Sequence, residues 1–501
     1  MNYLVPIIVL SQFVLVGCVQ EKDPTPPLRQ QTLTSETAIG EDSTLVNYER
    51  GVIQVPINRA THSEQTWDVE FVRFKRAATA SPDTPPIFIL RGGPGSESGT
   101  QLLEDPGYYA YFIEPYTQIT DVIIPGQRGL QTSGATPCDP IEPLTFEQAL
   151  NDEARQAARS AALDLCRKKW EAEGVDLTGF NIIEMAGDVY DIARGLGYEK
   201  IQLIGQSFGS HWGMATLRYY PDLIARATLS GLEGPDHTYD MPGHVLATLE
   251  RIAASAEASP ELAPYIPEQG LLEAYRELIQ RADETPIQVS LESPDSGEMI
   301  TISLDGDDLR SFTRGYSRGT SWRFIMPAWP LDILALLDGN FSYAARSLVR
   351  DHLFTRLRDA AYYQIDCASG ISQERGKILR SDLAADLVGP LWEYYDSHCS
   401  AWDADLGEDF RAPFSTDVPA LLINGDWDTS TPYENAQEVR SYFQNHRFVH
   451  VRGGSHGAFR EAREDVDGFR EQVYQWLETG SYTHIPETVT LPPMQWRAPE
   501  D

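Results

Sequence analysis

Positive charge is what this sequence has least of. Forty Lys and Arg stand against 74 Asp and Glu, a formal net charge of −34. That balance argues against nucleic acid or an anionic membrane surface as partner, because every phosphate contact would work against the long-range field. Cysteine is scarce too, with five in 501 residues. No cysteine or histidine spacing suggests a metal site, and no cofactor is expected. Internal repeats are absent. The apolar run Leu4 to Val16 is too brief to span a bilayer comfortably. What is present is ordinary for a globular protein able to bury a large core, with 42% hydrophobic and 23% charged residues. At this length two domains are the default.

The N-terminus reads as a processing signal. Its apolar run ends in Leu15-Val16-Gly17-Cys18, which resembles the lipobox of bacterial lipoproteins, in which the cysteine is lipidated. No Lys or Arg precedes the run, so a plain secretory signal is the alternative. Residues 1–17 are expected to be the signal and 18–45 a flexible tether rich in Pro, Thr and Ser. Several acyl chains on Cys18 would anchor the chain firmly. The expected location is the bacterial cell envelope, facing the periplasm, with Val19 after the cysteine leaning towards the outer membrane. Cys138, Cys166, Cys367 and Cys399 remain, an even count that suggests two disulfides in an exported chain. Three pairings are possible. The sequence-local ones, 138 with 166 and 367 with 399, are preferred, each worth roughly 3–4 kcal/mol in the chain-entropy model.

Strands and helices alternate along much of the chain. Gly51–Asn58 and Thr66–Lys75 pattern as an antiparallel edge pair, and Pro86–Leu90, Thr120–Pro125, Ile201–Ile204 and Ala225–Ser230 as further strands. Helical patterns over Phe146–Glu173, Asp188–Leu196 and Ser210–Tyr220 fall between them, which reads as a parallel sheet with helices on both faces. Between residues 235 and 411 the pattern is mostly helical, over Val245–Ala258, Leu271–Ala282, Pro330–Leu337, Tyr343–Gln364 and Asp382–Tyr395, with one hairpin over Ile287–Leu291 and Met299–Leu304. This is an insertion of cap type. Pro419–Ile423, Arg447–Val451 and a helix over Asp465–Leu477 complete the core, whose two parts are expected at 46–234 and 412–501.

Five segments carry the chemistry. Gly205-Gln206-Ser207-Phe208-Gly209 sits between a strand and a helix, where Gly-x-Ser-x-Gly makes a strained turn that lifts the serine hydroxyl out of the sheet. The Phe208 N–H then points at the reacting carbonyl. Arg91-Gly92-Gly93-Pro94-Gly95 follows a strand and lets the backbone approach substrate, so the Gly93 N–H is assigned as second oxyanion donor. A serine needs a base, and the base needs a carboxylate to orient it. Of ten histidines, His456 alone lies in a glycine-flanked loop after the last strand. Asp428 follows the preceding strand, with Asp426 expected to point elsewhere and Glu233 the alternative acid. His211, in the elbow helix, is expected to pack beneath the site. The fifth segment is Gly126-Gln127-Arg128-Gly129.

RGGPG, GQRG, GQSFG, GDWDTSTP and GGSHG resemble, in order and spacing, the proline iminopeptidase and tripeptidyl aminopeptidase family of α/β-hydrolases. The resemblance covers about residues 47 to 480, the cap matching only in position and helical character. It implies an α/β-hydrolase fold, a Ser207–Asp428–His456 triad, an oxyanion donor at Gly93, and removal of residues from a free peptide N-terminus. Small peptides are the implied substrates, with the membrane touched only through the lipid anchor. Glu233, at the cap's entry, is the candidate for holding the substrate α-ammonium. Many family members have His in place of Arg91 and Asp in place of Gly126. The second departure removes a carboxylate expected to pair with Arg128. A carboxylic ester hydrolase with the same triad is the competing enzyme reading, and a non-catalytic envelope binding protein the third.

Overall fold

The computed structural model describes residues 31–39, 45–61, 64–96, 106–142, 144, 152–293, 297–313, 320–352, 356–402 and 404–499. The apolar leader, Cys18 and most of the segment expected to be a tether lie outside the described residues. Ten strands form one sheet: β1 (Gln31–Ile39), β2 (Leu45–Pro56), β3 (Thr66–Phe74), β4 (Ile87–Leu90), β5 (Val122–Pro125), β6 (Ile201–Ser207), β7 (Ile224–Leu232), β10 (Ala420–Gly425), β11 (His446–Arg452) and β12 (Thr488–Thr490). A separate hairpin holds β8 (Ile287–Glu292) and β9 (Met299–Leu304). The spatial order is β1-β2-β3-β5-β4-β6-β7-β10-β11-β12. Pairs from β5 to β12 are parallel, and β1 to β5 run antiparallel through β2 and β3.

Because successive side chains on a strand face opposite ways, each strand feeds two cores. Leu422, Phe88 and Leu203 join the cluster on one face, with Phe180, Met185 and Trp212 from the covering helices. Leu421, Ile423, Ile87 and Ile204 join the other, with Phe469, Val473 and Trp476 of the closing helix. Burying side chains of this size contributes about 1.5–3 kcal/mol each. A third core lies wholly outside the sheet, built from Leu249, Ile252, Tyr275, Leu304, Trp329 and their neighbours.

Several expectations need correction. Residues 31–39 of the supposed tether are a strand, paired with β2 from Gln31↔Ile53 to Ile39↔Leu45. The strand is mostly exposed on both faces, so it carries no hydrophobic alternation to betray it. The helix expected from Asp188 begins at Ile182, because the Asn181 side chain accepts from the N–H groups of Ile183 and Glu184. The stretch Tyr343–Gln364 is two helices, Ser342–His352 and Ala360–Ser369. The stretch Asp382–Tyr395 also splits, into Ala385–Val388 and Trp392–Cys399, where Gly389 at φ 84° and then Pro390 end the first helix.

The inserted region divides by its packing. Helices Pro242–Glu257, Leu271–Glu284 and Ala328–Leu337 form the outer core, whereas Ala360, Tyr363, Ile365, Trp402 and Phe410 pack into the sheet's own face cluster. The Cys138–Cys166 and Cys367–Cys399 disulfides are both formed. The second ties helix Ala360–Ser369 to helix Trp392–Cys399. No described helix is long and apolar enough to cross a membrane.

Candidate active site

The site assembles at the carboxyl ends of β4, β6, β7, β10 and β11. Ser207 ends β6 with φ 58° and ψ −132°, one of two non-glycine residues with positive φ among those described. Such a backbone costs on the order of 1–3 kcal/mol and persists only where the surroundings enforce it. They do so by close approach. A Cβ on Gly205 would sit 2.2 Å from the Gly209 carbonyl oxygen, and one on Gly209 would sit 2.1 Å from that of Leu90. Ser210 Oγ donates to the Ser207 carbonyl at 2.7 Å and accepts from the Glu233 N–H at 2.9 Å, locking the elbow to the end of β7. Phe208 is the first residue of helix Phe208–Tyr219, so its N–H belongs to the unpaired, dipole-positive end.

His456 Nδ1 lies 2.9 and 3.0 Å from the two carboxylate oxygens of Asp428. Asp428 has no exposed surface, and its remaining capacity is filled by the N–H groups of Ser430 and Thr431 and by Thr431 Oγ1 at 2.6 Å. Burial, the largest influence, pulls the His456 pKa down. The charge and hydrogen bond of Asp428, with the charges of Glu461 and Asp240, outweigh it, and the pKa is raised above the ordinary 6.5. Ser207, His456 and Gly93 line one cavity of about 400 Å³. Gly92 passes close to Ser207, since a Cβ there would lie 3.9 Å from its Oγ. Gln127 clamps that loop, donating to the carbonyls of Arg91 and Gly92 at 3.1 Å and accepting from the Gly95 N–H at 2.7 Å.

Asp426 turns the other way from Asp428. It meets His450 Nε2 at 3.0 Å and accepts from the Gly453 N–H at 2.7 Å, bracing the histidine loop. His211 is buried between the Gly234 carbonyl and Ser369 Oγ, both at 3.0 Å, and burial lowers its pKa to about 4. Arg128 finds its carboxylate in Asp188, with Nε to Oδ2 at 2.7 Å. Position 126 has no room for one, because a Cβ there would be 2.1 Å from Ser133 Oγ.

Glu233 is not the orienting acid, because Asp428 fills that place. It stands with Asp366 and Asp240, and burial first, then those two charges, push its pKa well above the carboxylate range. Asp366 is likewise raised, to about 7, by burial and by Asp240 against the opposing pull of Arg358. Asp366 comes from helix Ala360–Ser369, which carried no signal beyond helicity. The segment Thr320–Trp322 also had none, yet it reaches the site from the inserted region. The Ser321 carbonyl accepts from the His456 N–H at 2.9 Å, Ser321 Oγ lies 2.9 Å from Ser430 Oγ, and the Trp322 ring stands edge-on to His456 at 5.5 Å. Among the described residues no cluster of His, Cys, Asp and Glu is arranged to hold a metal ion.

Two family models match the sequence. One, described as alpha/beta hydrolase fold, covers residues 85–269, and the other, described as TAP-like protein, covers residues 385–488. No curated protein sequence matches. Among solved structures, a proline iminopeptidase-related protein from Thermus thermophilus is similar at 15% identity and a TM-score of 0.31, with 86% of this chain and 92% of that one covered. An esterase from Exiguobacterium antarcticum is similar at 14% identity and 0.34, covering 83% and 97%. An epoxide hydrolase from an endophytic Streptomyces gives 12% and 0.35, covering 88% and 98%.

Proposed function

We propose that this chain, an α/β-hydrolase of the proline iminopeptidase and tripeptidyl aminopeptidase type, is a serine exopeptidase that cuts short peptides from a free N-terminus. One observation carries the reading: a strained Ser207 shares a cavity with His456, whose far nitrogen is held by a fully buried Asp428. In the proposed reaction Ser207 Oγ attacks the scissile carbonyl as His456 Nε2 takes its proton. Asp428 keeps the proton on Nδ1 and stabilises the imidazolium. The N–H groups of Phe208 and Gly93 hold the oxyanion, each worth about 3 kcal/mol of transition-state stabilisation. His456 then protonates the leaving amine, and water, deprotonated by the same imidazole, releases the acyl group.

The exopeptidase half of the proposal rests on Glu233, Asp240 and Asp366, three carboxyl groups close enough to raise one another's proton affinity. An ammonium group entering among them would relieve that repulsion and make charge-assisted hydrogen bonds. We propose envelope anchoring through Cys18 on the lipobox pattern alone. The test of function compares a peptide anilide bearing a free amine with its N-acetylated form and with a p-nitrophenyl ester. A fluorophosphonate probe reports Ser207 independently. Equal turnover of free and acetylated peptide would leave an esterase or an endopeptidase in place of the proposed activity.

A further inference from the structure

The same cavity has a second, cationic end. Arg91, Arg460 and Arg463 all line it, in a chain with almost twice as many acidic as basic residues. Arg460 lies 3.6 Å from Glu464. The other two are partnered differently. Arg91 donates to the Tyr108 hydroxyl and lies over that ring, and Arg463 donates to the Tyr116 hydroxyl and the Phe459 carbonyl. Among the described residues their hydrogen bonds go to neutral oxygens and neither has a carboxylate in ion-pair contact, so both keep spare N–H donors at the wall of the cavity that holds Ser207.

The location of this end matters as much as its charge. Ile113, Tyr116, Ile204 and Phe459, which line the cavity beside the arginines, belong to the core on one face of the sheet. Tyr362, near the Asp366 carboxyl, belongs to the core on the opposite face. Ser207 sits at the rim between them. A short peptide lying across that rim has an ammonium at one end and a carboxylate at the other, the same order of charge.

We propose that Arg91 and Arg463 form a carboxylate subsite that takes the free C-terminus of the leaving fragment, so that the substrates are short peptides with both ends unblocked. This rests on the exopeptidase reading above. A planar guanidinium matches a carboxylate in two-pronged geometry, and a desolvated pair of this kind is worth about tenfold or more in kcat/KM. The wall that bears both arginines belongs to the same cavity as Ser207, so only the C-terminus of a short leaving fragment falls on it and the preference is for the shortest peptides.

The experiment measures kcat/KM for alanine peptides of two to six residues, each as free acid and as C-terminal amide. The expected result is a preference for the acid of about tenfold or more at the shortest cleaved lengths, fading with length. In Arg463→Gln and Arg91→Met the acid loses about tenfold more than the amide, and Arg463→Lys restores part of the preference. A parallel pair of amidated peptides, with Glu or Gln after the cleaved bond, asks whether a side-chain carboxylate is read instead. Cleavage of acid and amide at equal rates, a preference that survives both substitutions, or a preference seen only with the Glu side chain would each overturn the subsite while leaving the exopeptidase intact. No cleavage of any peptide in either form would overturn both.

Discussion

Gln206 donates from Nε2 to the main-chain carbonyl of His456 at 2.6 Å. The residue before Ser207 therefore holds the loop of His456, across 250 positions of sequence. Removing that bond frees the imidazole to drift, and a misplacement of an ångström is enough to cost about a hundredfold. Gln206→Leu is expected to lower kcat/KM by about tenfold to a hundredfold and to slow fluorophosphonate labelling in parallel, with thermal stability changed by only a few degrees. Unchanged labelling kinetics would show that the bond is incidental.

The pH dependence follows from His456. It must be neutral to accept the Ser207 proton, and its pKa is raised above 6.5, chiefly by Asp428 against the opposing effect of burial. Activity should thus be lost on the acid side through a midpoint above 6.5 in kcat/KM. Asp428→Asn removes the charge and the correct tautomer together, so kcat is expected to fall by about 10⁴ and the residual midpoint to move down. A wild-type midpoint well below 6.5 would contradict the geometry of the pair.

Asp366 gives a stability signature of opposite sign to a salt-bridged carboxylate. Its folded pKa, pushed to about 7, lies above the ordinary 3.8. Between those values the folded chain keeps a proton that the unfolded chain has released, so stability falls as pH rises from about 4 to about 7. Asp366→Asn should therefore raise the melting temperature at about pH 8 and leave it unchanged at about pH 4. The same variant should raise KM for free-amine peptides about tenfold, if the carboxylate meets the ammonium as proposed. A variant less stable at the higher pH would show that Arg358 dominates instead.

Gly126→Asp tests why glycine stands where the family that this sequence resembles often has Asp. The new side chain would meet Ser133 Oγ and the Glu70 carbonyl oxygen, the latter at 2.8 Å from Cβ. Arg128 already has Asp188. The substitution is expected to destabilise by about 2 kcal/mol or more, read as a fall in melting temperature. Asp188→Ala, which leaves the buried Arg128 guanidinium only main-chain carbonyls and Glu184 at 3.8 Å and also takes an ion pair from Arg59, should cost about 3–5 kcal/mol. Stabilisation by Gly126→Asp would mean that the Ser133 loop gives way easily.

The sheet and the three loops around Ser207, Asp428 and His456 were legible because each motif combines a buried strand with glycines that mark a close approach. What escaped notice had no such punctuation. Residues 31–39 carry a strand without a hydrophobic face, and Thr488–Thr490 is too short to show a period. The charges of Asp240 and Asp366 matter only once the fold brings them to Glu233, with Asp366 more than a hundred positions away in sequence. Ser321 and Trp322 likewise gain meaning from contacts with residues over a hundred positions away. Arg91 was visible as a departure from the family pattern, but its aromatic partner Tyr108 was not.

The end of the described chain does two jobs that lie far apart. Thr488–Thr490 completes the sheet beside β11, and a few residues later Trp496 is buried in the outer core, its indole N–H 3.3 Å from Ser255 Oγ and its ring 6.2 Å from Trp427. Trp427 is next to the catalytic-acid candidate. The tail is thus a guy-line running from the sheet to the outer core, and any shift between the two must stretch or slacken it. Clipping the chain ahead of residue 488 would unmoor the outer core as well as remove the outermost strand.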